Sequence, residues 1–181
     1  GSLRKGTEHI LKTLDIDYID ILQQFWLGKM GAETDATAEA LAELKHEGKV
    51  RMVGTSIHDR PRAGQLAKDG VYDMLMVRYN AAHPGAESDI FPHVNPIHTM
   101  VTSYTATRWR KLLKRPRGWD GAVPTAADCY RFVLSRAEVD VTLMGVRSAS
   151  QFQENMSGLE KGPMDPDELA WMREFGRVVH G

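Results

Sequence analysis

Two hydrophobic periods take turns along this chain. From residue 3 to 14, Leu3, Ile10, Leu11 and Leu14 fall roughly on one side of a helical wheel, which predicts a helix. Tyr18 to Phe25 reads as a strand, and Gly28 to Ala32 as a loop. Thr34 to Lys49 predicts a second helix, with Ala38, Leu41, Ala42 and Leu44 near one face and Gly48 placed to end it. Val50 to Ser56 is a predicted strand, Asp59 to Lys68 a helix stopped by Gly70, and Val71 to Tyr79 a strand rich in Val, Met and Leu. A loop with Pro84, Pro92 and Pro96 and one short helix precedes a strand from Ile97 to Tyr104. A long basic loop leads to Thr125, where Thr125-Ala-Ala-Asp128 resembles a capping box with Asp in place of Glu and opens a helix to Arg136. Val139 to Val146 is the last predicted strand, followed by a helix from Gln151 to Leu159. Asp165-Pro166-Asp167-Glu168 then opens a final helix that buries Leu169, Met172, Phe175 and Val179.

Strand and helix thus alternate five times, which predicts parallel strands joined by right-handed crossovers in one α/β domain over residues 1–181. An open doubly wound sheet and a (β/α)8 barrel both satisfy the pattern. Both collect ligands at the carboxyl ends of their strands. Those ends carry Gln24-Phe25-Trp26, Thr55-Ser56-Ile57-His58, Arg78-Tyr79-Asn80, Ser103-Tyr104-Thr105 and Gly145-Val146-Arg147.

Charge and composition narrow the function. A formal net charge of −1 argues against a dedicated nucleic-acid or membrane-surface protein. No apolar run reaches the ~18 residues of a membrane helix, and the charged start GSLRKGTEHILKTL is unlike a signal peptide, so the cytoplasm is the expected location. A lone Cys129 makes neither an internal disulfide nor, by itself, a metal site.

Four segments, LKTLDIDYIDIL, LAELKHEGKVRMVGTS, YDMLMVRYN and MGVRSASQFQEN, resemble the aldo/keto reductases in order and spacing. RYNAAHPGAE and YTATRW look like one bacterial branch of oxidoreductases in that family. The resemblance implies a (β/α)8 TIM-type barrel, represented here by about five parallel β/α units, the fourth to eighth strands. It also implies NADPH (NADP+) as cofactor and a carbonyl or alcohol substrate. On that pattern the family's catalytic Asp, Tyr and Lys belong to earlier strands, and its active-site His, at the end of the fourth strand, falls on Phe25. Phenylalanine neither donates a hydrogen bond nor shares a proton.

The cofactor side carries over better. Ser56 matches the serine that bonds the nicotinamide carboxamide, and Tyr104 the aromatic on which the ring stacks. Glu154 and Asn155 match the pair that holds the adenine end. Gln151 sits where many members place an Arg for the 2′-phosphate, with Arg147 to supply positive charge, Ser148 a hydroxyl and Gly145 a close backbone approach. Two departures remove amide contacts: the family's Asn is Ile57 and its Gln is Met76. The resemblance therefore predicts a chain supplying mainly the cofactor half of an oxidoreductase. The alternative is a non-catalytic nicotinamide-nucleotide-binding or regulatory remnant. A five-strand portion leaves edges at the strands of Tyr18 and Val139, for a second chain or a preceding segment to complete.

Several residues carry two readings each. His58 is a candidate proton donor at a strand end, or a helix-entry residue. His83 is a functional histidine or one bonded to backbone. Arg78 points into the site or pairs with an acid such as Glu87. Arg108 to Trp119 clusters charge and aromatics, which suits nucleic acid, a pyrophosphate clamp or a solvated loop on the barrel rim. Asp20 is expected to take a backbone or arginine bond, Cys129 to be core, and Trp26 to line a pocket or pack in the core.

Overall fold

The computed structural model describes residues 2–27 and 35–180. Five strands and seven α-helices follow one another: α1 (Ser2–Leu14), β1 (Ile19–Leu27), α2 (Asp35–His46), β2 (Val50–Ile57), α3 (Arg60–Asp69), β3 (Met74–Arg78), α4 (Ala86–Asp89), β4 (Met100–Tyr104), α5 (Ala126–Leu134), β5 (Val141–Thr142), α6 (Ala149–Leu159) and α7 (Pro166–His180). The strands form one sheet in the order β1-β2-β3-β4-β5, each parallel to its neighbour. The alternation therefore folds as its pattern requires, and every strand presents its carboxyl end on the same side.

Local chemistry sets the element boundaries. The Asp59 carboxylate accepts the Arg62 amide at 3.1 Å and starts α3, which Gly70 ends at φ 65°. Thr125 and Asp128 form a reciprocal capping box at α5. Asp165 accepts the Glu168 amide at 2.8 Å and starts α7. Two aspartates serve the same purpose at strand entries. Asp73 Oδ2 accepts the Val53 amide at 2.8 Å, and Asp140 Oδ2 accepts the Val101 amide at 2.8 Å. Each ties the start of its strand to the preceding one.

The core lies between sheet and helices, with Leu44, Leu75, Val77, Val101, Phe132, Met172 and Phe175 buried. The last five residues of β2 are all buried, as suits a central parallel strand covered on both faces. On α7, Met172 and Phe175 sink fully and Phe175 meets the Trp119 ring edge-on at 5.2 Å, while Leu169 and Val179 are half-buried.

The differences from the sequence reading have physical causes. The strand expected from Ile97 begins only at Met100, because the Asn95 side chain and carbonyl collect the amides of Ile97, His98 and Thr99 into a turn. The strand expected over 139–146 contracts to Val141–Thr142, since its partner β4 ends at Tyr104 and Thr105 is left-handed (φ 59°). The strand expected over 71–79 narrows to Met74–Arg78. The helix expected to Lys49 stops at His46, and Gly48 (φ 71°) turns the chain toward β2. On α1, Ile10 and Leu14 are exposed rather than buried. The predicted loop at 28–32 and the start of the second helix at Thr34 lie outside the described residues.

Candidate functional site

At the strand ends, β1 to β4 enclose a cavity of about 410 Å³ lined by Gln23, Phe25, Ser56, Met76 and Tyr104. Within this lining, Gln23 Nε2 donates to Met76 Sδ at 3.3 Å. Phe25 is 90% exposed and does not plug the core; Gln24 beside it accepts the Tyr72 hydroxyl at 2.5 Å instead. Ile57 is a core residue, 3% exposed. The Tyr104 hydroxyl lies 3.1 Å from His58 Nδ1. Burial, and then the nearby Arg78 charge, hold His58 below the ordinary imidazole range. Burial raises the Tyr104 phenol, and Arg78 opposes that rise.

A second cavity, about 530 Å³, opens beside β5 and α6. Gly145, Arg147, Gln151, Glu154 and Asn155 line it together with Arg110 and Lys161. Asn155 is buried and its Nδ2 meets Met144 Sδ at 3.5 Å. Gln151 Oε1 accepts the Arg147 amide at 3.0 Å, and Glu154 accepts the Ser150 hydroxyl at 3.0 Å. A Cβ on Gly145 would meet nothing within 4 Å, so that backbone stands open to the cavity. Ser148 is used locally: its hydroxyl accepts the Gln151 amide at 3.2 Å and caps α6. The expected residues thus divide between two cavities, Ser56 and Tyr104 on one and five of the others on the second, both at the carboxyl side of the sheet.

The other residues with two readings sit as follows. Arg78 is half-buried and makes no ion pair among the described residues; the expected pairing with Glu87 is not formed. Glu87 instead accepts the Tyr79 hydroxyl at 2.6 Å and pairs with Arg173 at 2.9 Å. His83 Nδ1 faces Asn80 Oδ1 at 3.2 Å. Asp20 pairs with Arg51 at 3.0 Å. Cys129 is buried and its thiol is pushed up to about 12 by desolvation, as a core residue. The Trp26 side chain lies outside the described residues.

The basic loop has mixed uses. Arg108 donates to the Val179 and His180 carbonyls at the end of α7, and Arg115 holds the Trp119 and Gly121 carbonyls, while Arg110 turns to the second cavity. Lys161 escaped the sequence reading. It lies just past α6, and only the fold brings it to the cavity that Arg110 also lines. Among the described residues no three His, Cys, Asp or Glu side chains gather to hold a metal ion, and no helix is long and apolar enough to cross a membrane.

Comparison with known proteins adds a family and a fold. The profile of the aldo/keto reductase family matches residues 1–107. An NADH-specific methylglyoxal reductase of Escherichia coli (strain K12) is 23% identical over 98% of this chain, and an L-galactose dehydrogenase of Arabidopsis thaliana is 25% identical over 93%. The chain spans 65% and 62% of the length of these two relatives. Among solved structures, an aldo-keto reductase from Bacillus halodurans in its holo form superimposes with a TM-score of 0.78, at 22% identity, over 94% of this chain and 65% of its own. A glycerol dehydrogenase from Gluconobacter oxydans superimposes with a TM-score of 0.75, at 20% identity, over 99% of this chain and 65% of its own. These likenesses show the fold, that of a parallel α/β barrel of which this chain carries five units.

Proposed function

The chain belongs to the aldo/keto reductase family, and on that premise we propose that it serves an oxidoreductase acting on a small carbonyl or alcohol substrate, contributing mainly the surface that binds a nicotinamide nucleotide. One observation carries the reading. Five residues assigned to the nucleotide by resemblance, Gly145, Arg147, Gln151, Glu154 and Asn155, line one cavity at the carboxyl side of the sheet. Ser56 and Tyr104, assigned to the nicotinamide, line another on the same side.

The residues fit such a group. Ser56 offers a hydroxyl for the carboxamide and Tyr104 a ring face for stacking. Asn155 offers an amide to the adenine, with Glu154 beside it. Arg110, Arg147 and Lys161 supply cationic donors for phosphate oxygens. They support NADPH. The NADH-specific relative and Gln151, where an arginine is usual, leave NADH as the competing cofactor. When bound, the nicotinamide supplies the hydride exchanged with a carbonyl or alcohol carbon. For the proton, this chain offers His58, bonded to Tyr104. Phe25 offers none.

Calorimetric titration of the chain with NADPH and NADH tests the reading; no binding of either at millimolar concentration ends it. With His58 as the candidate donor and the family's histidine position taken by Phe25, the chain alone is expected to show little NADPH-dependent carbonyl reduction. Robust turnover that vanishes in His58→Gln would instead make His58 sufficient.

Phe25 favours a second reading. A largely exposed phenylalanine where a catalytic histidine is expected suits a non-catalytic nucleotide-binding module. Nucleotide binding without turnover, in any longer polypeptide or assembly that contains this chain, distinguishes it. Completion of the barrel by a second chain or a preceding segment is part of the first reading, and cross-linking or sedimentation of the active species tests it.

A further inference from the structure

A third cavity, of about 690 Å³, lies between the loop after β3 and the C-terminal half of α7. That volume suits a small metabolite. Its walls carry Arg60, His83, Arg173, Arg177 and His180, and no Asp or Glu side chain among the described residues. Two acids stand behind the walls rather than in them. Asp89 Oδ2 takes Arg60 Nε at 2.9 Å, and Glu87 Oε1 takes Arg173 Nη2 at 2.9 Å. A guanidinium has five N–H donors, so one ion pair fixes its plane and leaves donors over. The Arg177 side chain makes no ion pair or hydrogen bond among the described residues.

The cavity is held by close backbone approach. A Cβ on Gly85 would stand 2.0 Å from Arg60 Nη1, so the guanidinium lies directly on that backbone. A Cβ on Gly176 would stand 2.1 Å from the Ala81 carbonyl oxygen, so α7 is pressed against the loop. The His83 and His180 rings meet edge-on across 5.1 Å.

We propose that this cavity binds the oxyanion group of a small metabolite, a phosphate monoester or a carboxylate, through Arg177, the remaining donors of Arg60 and Arg173, and His180, with His83, whose Nδ1 faces Asn80 Oδ1, joining only when its ring is protonated. Planar guanidinium forks match such oxyanions in two-point contact. The local charge is consistent with an anion-seeking site. Burial first, then the charges of Arg78, Arg108, His180 and Arg60, push His83 down to about 4. An oxyanion among these groups reverses part of that push. The Arg78 charge acts on His58 as well as on His83.

The test follows the His83 and His180 ring resonances by NMR at constant ionic strength, with inorganic phosphate, glycerol 3-phosphate and lactate as separate probes. The expected result is a saturable shift of both rings and a rise in the His83 pKa. Preference for the phosphates assigns a phosphate ester, and preference for lactate a carboxylate. Arg177→Gln, an exposed position, weakens binding about tenfold with folding intact, and His180→Gln weakens it independently. Arg110→Gln, in the second cavity, leaves the shifts unchanged. Rings that fail to move with every probe overturn the proposal, as do shifts that Arg177→Gln leaves untouched or that Arg110→Gln abolishes. The readout does not involve nicotinamide, so loss of NADPH binding with these shifts retained would remove the proposed function and keep this site.

Discussion

The Tyr104 hydroxyl and His58 Nδ1 stand 3.1 Å apart across the ends of β2 and β4, their rings tilted by 53°. The contact joins the ring assigned to stacking with the side chain assigned to the proton. Arg78, at the end of the intervening strand, acts on both.

Arg78→Gln is expected to raise the His58 pKa toward its ordinary 6.5, because one of the two forces holding it down is that charge; burial, the larger, remains. An NMR titration of the ring measures it. An unchanged midpoint would leave burial as the whole cause.

His83 makes the fold acid-sensitive in a defined window. Its folded pKa is about 4 against an ordinary 6.5, so the unfolded chain binds more protons in between. Stability from this ring is complete above roughly pH 6.5 and is lost as pH falls through about 4. His83→Gln should flatten the stability profile in that interval. Urea midpoints at several pH values decide; a profile as steep as before would assign the acid loss elsewhere.

Arg131, 4% exposed, donates to both Glu168 oxygens at 2.5 and 2.7 Å and to the Gly162 carbonyl at 2.9 Å, fastening α5 to α7. Glu168→Ala strands this guanidinium. The carboxylate is about one-third exposed, so solvent screening lowers the cost to about 2 kcal/mol, or roughly 4–8 °C in Tm. Arg131→Met, which removes the charge and keeps the stem, should cost less. Equal losses by thermal denaturation would point to packing instead of an unpaired charge.

Gln151→Arg is expected to improve NADPH over NADH by about tenfold, since it adds a charged donor to a cavity edge already holding Arg110, Arg147 and Lys161. Paired calorimetric titrations read the ratio. An unchanged ratio would take residue 151 away from the 2′-phosphate.

Helix starts were legible in the sequence because a cap is local chemistry. Asp59, Thr125 and Asp165 each bond an amide three residues on. Strand lengths were not, because a ladder needs its neighbour: β5 is short on account of where β4 ends. The same limit hid the sites. Ser56, Tyr104 and Asn155 were assigned through the family pattern, whereas Lys161 and Arg110 come to line one cavity, and Arg60 and Arg177 another, only after folding. Arg78 and Glu87 show the reverse case. A guanidinium at a strand end was expected to need an acid partner, and Glu87 went instead to Arg173 from the distant α7.

The ladder itself has a thick side and a thin one. β1 follows β2 from Ile19 to Leu27, whereas β5 pairs with β4 through Val141 and Thr142, with the Asp140 and Leu143 amides bonded to β4 on either side. Breathing begins where the fewest bonds must break, so amide exchange should run fastest along 139–146, the margin that bears Gly145 and leads into α6. A nucleotide lodged there would act as a splint, protecting those amides well before any change reaches the centre of the sheet.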